Sequence, residues 1–395
     1  MRKESMTTRE RIIAAIKHEP VDRIPISPRF NPQNYGYDTC SVHSIVDCKK
    51  KIHHYDPHIP LDYPADLTIF KKVMAEAAYM NEVNTIIDIK DERDTIRVTC
   101  TFETPAGKLK QVKIKPKIGA PGYGSNPNPH IAEFPIKNKA DLEKARYLIP
   151  PESSYSLGDF FELEKLYWDE AVLMPSICGP LSHTGGNFCD MCNLMIAYYE
   201  DREFFDRYLE IFSEFSLSQL KWSLERGARH FFLAWFYESL SSGWSPQIYR
   251  EVFAPIIKQQ ADLIHSANGI ACFYDDGKLT ESLPFIVATG VDCIETCTPA
   301  PMGDFDIAQA KSLYGDKVAF KGGIDIVNVI WEGAPELIDR TVYEYMKAGS
   351  AGSGFLVGTC DTIRPETPKQ NTDAFFIAAN KYAKEFAEQT AKIQP

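Results

Sequence analysis

The chain of 395 residues has no apolar run long enough to span a bilayer, which excludes a helical membrane protein. It has no surplus of positive charge: 43 Lys and Arg stand against 54 Asp and Glu, for a net charge of -11. A nucleic-acid grip needs basic clusters facing phosphates. The lysine cluster Lys49-Lys50-Lys51 reads instead as a solvated helix face. Behind Met1-Arg2-Lys3-Glu4-Ser5 there is no apolar core, so no secretory leader is expected. Ten cysteines in a chain this long do not make a disulfide framework. Cys178, Cys272 and Cys293 lie inside apolar runs, where a reduced Cys packs as a small core residue. A reducing cytoplasm is the expected compartment.

What is there is the composition of a globular protein, 44% hydrophobic and 25% charged. Thr7 or Thr8 can cap a first helix in which Ile12, Ile13 and Ile16 recur at helical spacing, and Pro20 ends it. Ile24-Pro25-Ile26 reads as a short strand. Residues 95–101 and 109–114 alternate on either side of Thr104-Pro105-Ala106-Gly107, a β-hairpin with a solvated face, and a Pro/Gly/Asn-rich loop follows over 116–129.

From about residue 155 the pattern becomes regular. Apolar strands are predicted at 173–178, 229–234, 270–273, 291–294, 318–321 and 355–358. Helices are predicted at 190–200, 203–226, 246–267, 279–289 and 335–348, the last closed by Gly349 as a left-handed cap. Short apolar strands alternating with amphipathic helices mean parallel βα units. Residues 24–26 and 85–89 offer further strands. The fold class is α/β, a (β/α)8 TIM barrel occupying 1–395 as one domain, with the hairpin and loop of 91–150 as a decoration. A doubly wound sheet is the alternative. It is disfavoured because no G-x-G-x-x-G follows any strand.

In a barrel the residues just after each strand converge on one mouth. Phe273-Tyr274-Asp275-Asp276-Gly277 ends an apolar run in a phenol and two carboxylates, and an unpaired carboxylate out of water is costly. The other strand ends bring Arg29 and Asn31; His183 and Asn187; Trp235, Tyr237 and Glu238; Glu295; Asp325; and Cys360 with Asp361. Crowded carboxylates raise one another's pKa and hold a proton near neutrality, which suits a general acid or a bound cation. Glu238 and Glu295 taken singly read equally well as helix caps, and Asp275 as a solvated turn residue. His183 reads more readily as a hydrogen-bonded loop histidine. The aromatic residues read equally as packing or as a ring platform. Cys189-Asp190-Met191-Cys192 lacks the second pair of a structural zinc site and reads as packing at a helix start.

These pieces together resemble the uroporphyrinogen decarboxylase superfamily. Thr8-Arg9-Glu10-Arg11 with Pro20-Val21-Asp22-Arg23-Ile24-Pro25 is similar to that family's start. Gly179-Pro180-Leu181, Ser245-Pro246 with Tyr249-Arg250, Gly322-Gly323-Ile324-Asp325, and Gly358-Thr359-Cys360 with Pro365-Glu366-Thr367-Pro368 and Asn371 resemble its later motifs in order. The resemblance implies a (β/α)8 barrel. The family's decarboxylases grip an acidic tetrapyrrole with an Arg-rich motif, whereas the corresponding stretch here is Pro28-Arg29-Phe30-Asn31-Pro32. Thr104-Pro105-Ala106-Gly107 and residues 134–142 resemble the corrinoid-dependent methyltransferase branch. Its thiol-methylating members bind zinc through H-x-C and a late Cys. Here Tyr274 and Asp276 stand at the first two positions and Cys360 at the third.

The resemblance implies methyl transfer from a methoxylated aromatic to cobalamin carried by a partner corrinoid protein. It casts Glu238, Tyr274, Asp276 and Glu295 as catalytic, and Arg29, Asn31, His183, Trp235 and Tyr237 as substrate-binding. Asp276 and Cys360 are candidate ligands should zinc be bound. Another methyl donor or acceptor (methylamine, thiol or tetrahydrofolate) or tetrapyrrole decarboxylation is the alternative. No nucleic acid or membrane partner is expected, and a homodimer stays open.

Overall fold

The computed structural model describes residues 4–38, 40–61, 83–117, 119–120, 130–182 and 188–393. Contacts divide the chain into two compact units. One comprises Met1–Leu61, Asp159–Ser176 and Leu224–Pro395; the other comprises Asp62–Gly158 and Ile177–Ser223. No helix among the described residues is long and apolar enough to cross a membrane.

The second unit holds an antiparallel sheet of β2 (Asn84–Asp91), β3 (Thr95–Thr104), β4 (Gly107–Pro116) and β5 (His130–Glu133), in that order. The hairpin expected at 95–114 is β3 and β4, paired from Thr95↔Pro116 to Thr104↔Gly107. Residues 85–89, offered by the sequence as a barrel strand, belong to β2 instead. Only residues 92–94 separate β2 from β3, and so short a link returns the chain antiparallel, whereas a parallel neighbour needs a crossover. Most of the Pro/Gly/Asn-rich loop lies outside the described residues.

The first unit is built on the barrel. Its sheet runs β1 (His58–Leu61), β6 (Val172–Cys178), β7 (His230–Ala234), β8 (Ile270–Tyr274), β9 (Cys293–Glu295), β10 (Ala319–Ile324) and β11 (Phe355–Thr359), parallel from β1 to β6 and from β7 through β11. The eighth position is residues 25–27. Ile26 bridges Val357 in parallel, Ser27 N–H donates to the Val357 carbonyl at 2.7 Å, and Asp56 N–H donates to the Ile26 carbonyl at 2.7 Å. This segment joins β11 to the approach of β1 and closes the ring, so the fold is the (β/α)8 barrel. β1 escaped the sequence pattern because Pro57 and Pro60 break the apolar run.

Two helices differ from their expected form for local reasons. Residues 246–267 are Pro246–Ile248, a π turn Tyr249–Phe253, and Ala254–Ser266. Pro255 has no N–H to give and crowds the preceding turn, which widens there. Gly349 is the last residue of the helix Pro335–Gly349, not a left-handed cap after it. A Cβ on Gly349 would sit 2.3 Å from the Phe355 ring, so glycine serves close packing.

At the foot of the barrel, before the strands begin, lies a closed ion network. Thr7 caps the helix Thr8–Ile16 in a capping box with Glu10. Arg11 on that helix donates from Nε to Asp22 at 2.6 Å and from NH1 to Asp56 at 2.7 Å. Arg23 donates to the other Asp56 oxygen at 2.5 Å, and Ile26 N–H joins it at 2.9 Å. Asp56 is fully buried, and these donors hold its pKa below the usual range against the effect of burial.

Candidate active site

Side chains alternate in and out of the barrel along each strand. In β8, Cys272 and Tyr274 share one face, level with Cys293 and Glu295 of β9. Lys321 in the next strand donates to Glu295 Oε2 at 2.9 Å and meets His58 Nδ1 at 3.1 Å. His58 Nε2 lies 3.9 Å from Cys272 Sγ. All four residues are buried. Burial and the adjacent Lys321 ammonium, with His230 behind it, push the His58 pKa well down, so the imidazole is neutral. A buried lysine within an apolar strand requires an acid partner. Lys321 in Val318-Ala319-Phe320-Lys321 was therefore the signal that a polar group crosses the barrel interior. His58 gave none, since its strand went unseen.

Above this layer lies the rim. The Arg29 guanidinium sits 4.5 Å from the centre of the Tyr274 ring and 5.4 Å from that of Phe232. Its NH1 is 3.9 Å from Asp361 Oδ1 and has no hydrogen-bond partner. Burial works against its charge, but Tyr274, Asp361, Glu295 and Asp276 outweigh burial and raise its pKa. Burial and the neighbouring Asp361 push Asp276 up to about 6, while the Tyr274 hydroxyl and Arg29 pull the other way. Tyr274 is pushed well above its usual value, chiefly by burial, and stays a phenol. The Cys360 thiol is pushed up to about 12, chiefly by burial, with Asp325, Asp361 and Asp276 adding to it.

The loop after β9 is strained. Thr296 and Cys297 take φ of 73° and 49°, unfavourable for non-glycine residues and most of all for a β-branched one. The single Thr296 hydroxyl hydrogen is shared between the Asp275 carbonyl and, at 2.5 Å, that of Glu295, while Gly323 N–H donates to the Thr296 carbonyl at 3.0 Å. A Cβ at Gly322 would meet that carbonyl oxygen at 2.4 Å, so the glycine pair in β10 is what lets the loop dock.

The expected site residues divide into three groups. Arg29, Tyr274, Asp276 and Glu295 come together, with Asp361, and Cys360 is in electrostatic reach of Asp276. Glu238 belongs instead with Asp275 and Tyr249: all three are fully buried and coupled. Asp275 is not a solvated turn residue. It is 0% exposed, neither carboxylate oxygen has a partner, and burial with the charge of Asp276 pushes its pKa well up. Capping explains Asp325, which accepts from the Val327 and Asn328 N–H groups, but not Glu238 or Glu295. The turns after β7 are capped by Ser239 and Ser245, and Glu295 pairs with Lys321.

Trp235 is not at the rim. It is fully buried, donates from Nε1 to Gln260 at 3.0 Å and packs on Phe253, joining strand to helix. Asn31 spends its side chain capping the turn Pro32–Tyr35. Tyr237 is 38% exposed beside Glu238. His183 and Asn187 lie outside the described residues. Cys189 is buried and Cys192 exposed at the start of the helix Met191–Glu200, whose cap is Asp190.

Comparison with known proteins adds three findings. The uroporphyrinogen decarboxylase of Coxiella burnetii (strain RSA 493 / Nine Mile phase I) is 23% identical over 188 residues, 47% of this chain and 49% of that protein. The match thus spans about half the length of that relative. The uroporphyrinogen decarboxylase of Prochlorococcus marinus (strain MIT 9515) is 22% identical over 259 residues, 64% of this chain and 71% of that protein. A solved structure, a methyltransferase from Methanosarcina mazei, shares the fold with a TM-score of 0.62 at 15% identity, over 96% of this chain and 99% of that one. The family model described as Uroporphyrinogen decarboxylase (URO-D) matches residues 122–382, and the chain belongs to that family.

Proposed function

We propose that the protein is a methyltransferase that takes the methyl group from a methoxylated aromatic and passes it to cobalamin on a partner corrinoid protein. The observation that carries this reading is the rim set itself: a phenol and three carboxyl groups gathered on one arginine, oxygen-rich where thiol activation would want sulfur and imidazole. The fold neighbour from Methanosarcina mazei supports it. An acidic tetrapyrrole fits less well, because Asp361, Glu295 and Asp276 surround the arginine with charge of the same sign as the tetrapyrrole's carboxylates.

The corrinoid supplies a nucleophile for the methyl carbon. The task of this chain is the oxygen left behind. As the methyl–oxygen bond breaks, its electron pair stays on the ether oxygen, and Asp276 gives that oxygen a proton. A positioned acid contributes about 10²–10⁴-fold. Tyr274, kept a phenol and stacked under Arg29, orients the oxygen.

Zinc fits the chain poorly. Asp276 and Cys360 are a hard and a soft donor with a fixed guanidinium beside the carboxylate. The group His58, Cys272 and Glu295 brings three donor atoms within 4.8 Å of one another. The Lys321 ammonium already holds the place of a cation there.

The test is to mix the protein with a reduced corrinoid protein and a panel of methyl donors, and to follow the corrinoid absorbance. Methylation with methoxyphenols supports the reading. Methylation with methylamines alone reassigns the donor, and no methylation with any donor rejects the class. Carbon dioxide release from uroporphyrinogen would establish the decarboxylase reading instead.

A further inference from the structure

The strand segment at 25–27 and β1 lead into residues that line a half-open cavity of about 190 Å³. Its walls are mainly apolar, with Phe30, Val42, Ile45, Tyr55 and Ile59 contributing, and Arg29 and His58 complete it. Residues 28–30 and the end of β1 lie at the carboxyl ends of barrel strands, where ligands bind. We propose that this cavity is the ring subsite of the methyl donor. It takes one aromatic ring, not two fused rings, and seats an oxygen on that ring against Arg29. The proposal rests on the methyl-transfer reading only for what the ring carries.

Three observations select this occupant. The first is size. An apolar cavity of about 150 Å³ accommodates a benzene ring. A volume of 190 Å³ therefore takes one ring with a small substituent. The second is the cation. The Arg29 side chain lines the cavity and is 22% exposed, while the Tyr274 face fixes its guanidinium in place. A fixed cation in a mainly apolar wall favours a ligand that brings an acceptor, because hydrogen bonds to a charged group are the stronger ones. The third is charge. Among the described residues Arg29 is the charged group in the cavity wall, and His58 is held neutral. A phenolic or other oxygen acceptor matches that wall. An ammonium-bearing donor finds no counter-ion in it.

The test is calorimetric binding to the full chain without any corrinoid protein, using 2-methoxyphenol, toluene and 6-methoxy-2-naphthol as probes. The expected result is that 2-methoxyphenol binds at least about ten-fold tighter than the two-ring probe. Arg29→Met should weaken 2-methoxyphenol by about ten-fold, the worth of one hydrogen bond to a charged group, and leave toluene unchanged. Val42→Phe, which fills the cavity, should weaken all one-ring probes by about ten-fold or more. Ile59→Ala, which enlarges it, should let the two-ring probe bind, and remains informative if Val42→Phe fails to fold. Equal affinity for one- and two-ring probes, or unchanged binding in Val42→Phe, overturns the proposal. Binding with the expected pattern but no methyl transfer from any donor upholds the subsite and rejects only the methyl-transfer reading. Methyl transfer without the pattern does the reverse.

Discussion

Two polar clusters in the barrel unit teach opposite lessons. At the foot, Asp56 is fully buried, yet Arg11, Arg23 and the Ile26 N–H meet it from three directions, and each guanidinium goes on to another acid. At the rim, Arg29 keeps an unpartnered NH1, and Asp276 is pushed up to about 6. The foot has satisfied its charges and lowered a carboxyl pKa. The rim has left groups unsatisfied and raised one. A closed network specifies structure, whereas an open one has capacity left for a ligand or a proton. Barrels divide labour this way, with stability at the amino ends of the strands and chemistry at the carboxyl ends.

The sharpest way to break the comparison is Asp276→Asn. Methyl transfer should fall by about 10²–10⁴-fold, the usual worth of a positioned acid, with the unfolding midpoint nearly unchanged. The acid must be protonated to act, and its pKa lies at about 6. Wild-type kcat/KM should therefore decline about ten-fold per pH unit above that value, and in the variant this limb should vanish. A variant that keeps both rate and limb would remove Asp276 from the chemistry.

The complementary change is Asp56→Ala. It removes the fully buried acid that two guanidiniums share, leaving each with only its outer partner, and should cost about 3 kcal/mol of stability, read by urea unfolding. Molecules that remain folded should keep their pH–rate profile. A shifted profile would mean that foot and rim are coupled.

Lys321→Met probes the layer between the two clusters. Glu295 would lose its 2.9 Å partner inside the barrel, at a cost of about 3–5 kcal/mol. Lys321→Met combined with Glu295→Gln should recover part of that loss, because no charge is left buried alone. If the double variant is no more stable than the single one, Glu295 draws its support from elsewhere.

The two clusters also differ in how legible they were. The rim could be read because strand ends converge, so Tyr274, Asp276, Glu295 and Arg29 could be grouped without coordinates. The middle layer could not, since His58 sits on a strand that Pro57 and Pro60 disguise. The aromatic Trp235 misled, because the residue after a strand can turn outward to its helix as readily as inward. Glu238 and Asp275 show the same ambiguity: both follow strands, and both are fully buried with Tyr249. Strand and helix periodicity fixes which elements exist. Which way the first residue beyond a strand points depends on loop geometry that no period encodes.

The smallest expected effect lies back at the foot, with Asp22. Burial raises its pKa, but the Arg11 guanidinium and the N–H groups of Met6 and Ser5 more than reverse this and hold it at about 2. A carboxyl whose pKa is lower folded than unfolded adds stability above its unfolded value, near 3.8, and loses it as pH falls through about 2. Asp22 is partly open to water, so screening reduces the contribution to about 1 kcal/mol. Asp22→Asn should therefore lower stability by about that amount at neutral pH and by less and less as the solution is acidified from pH 4. Paired unfolding curves across that range check it. A constant difference between the two proteins would mean that Asp22 acts through its hydrogen-bond geometry, which Asn imitates poorly, and not through its charge. The foot would then be a shape-fitting network more than an electrostatic one.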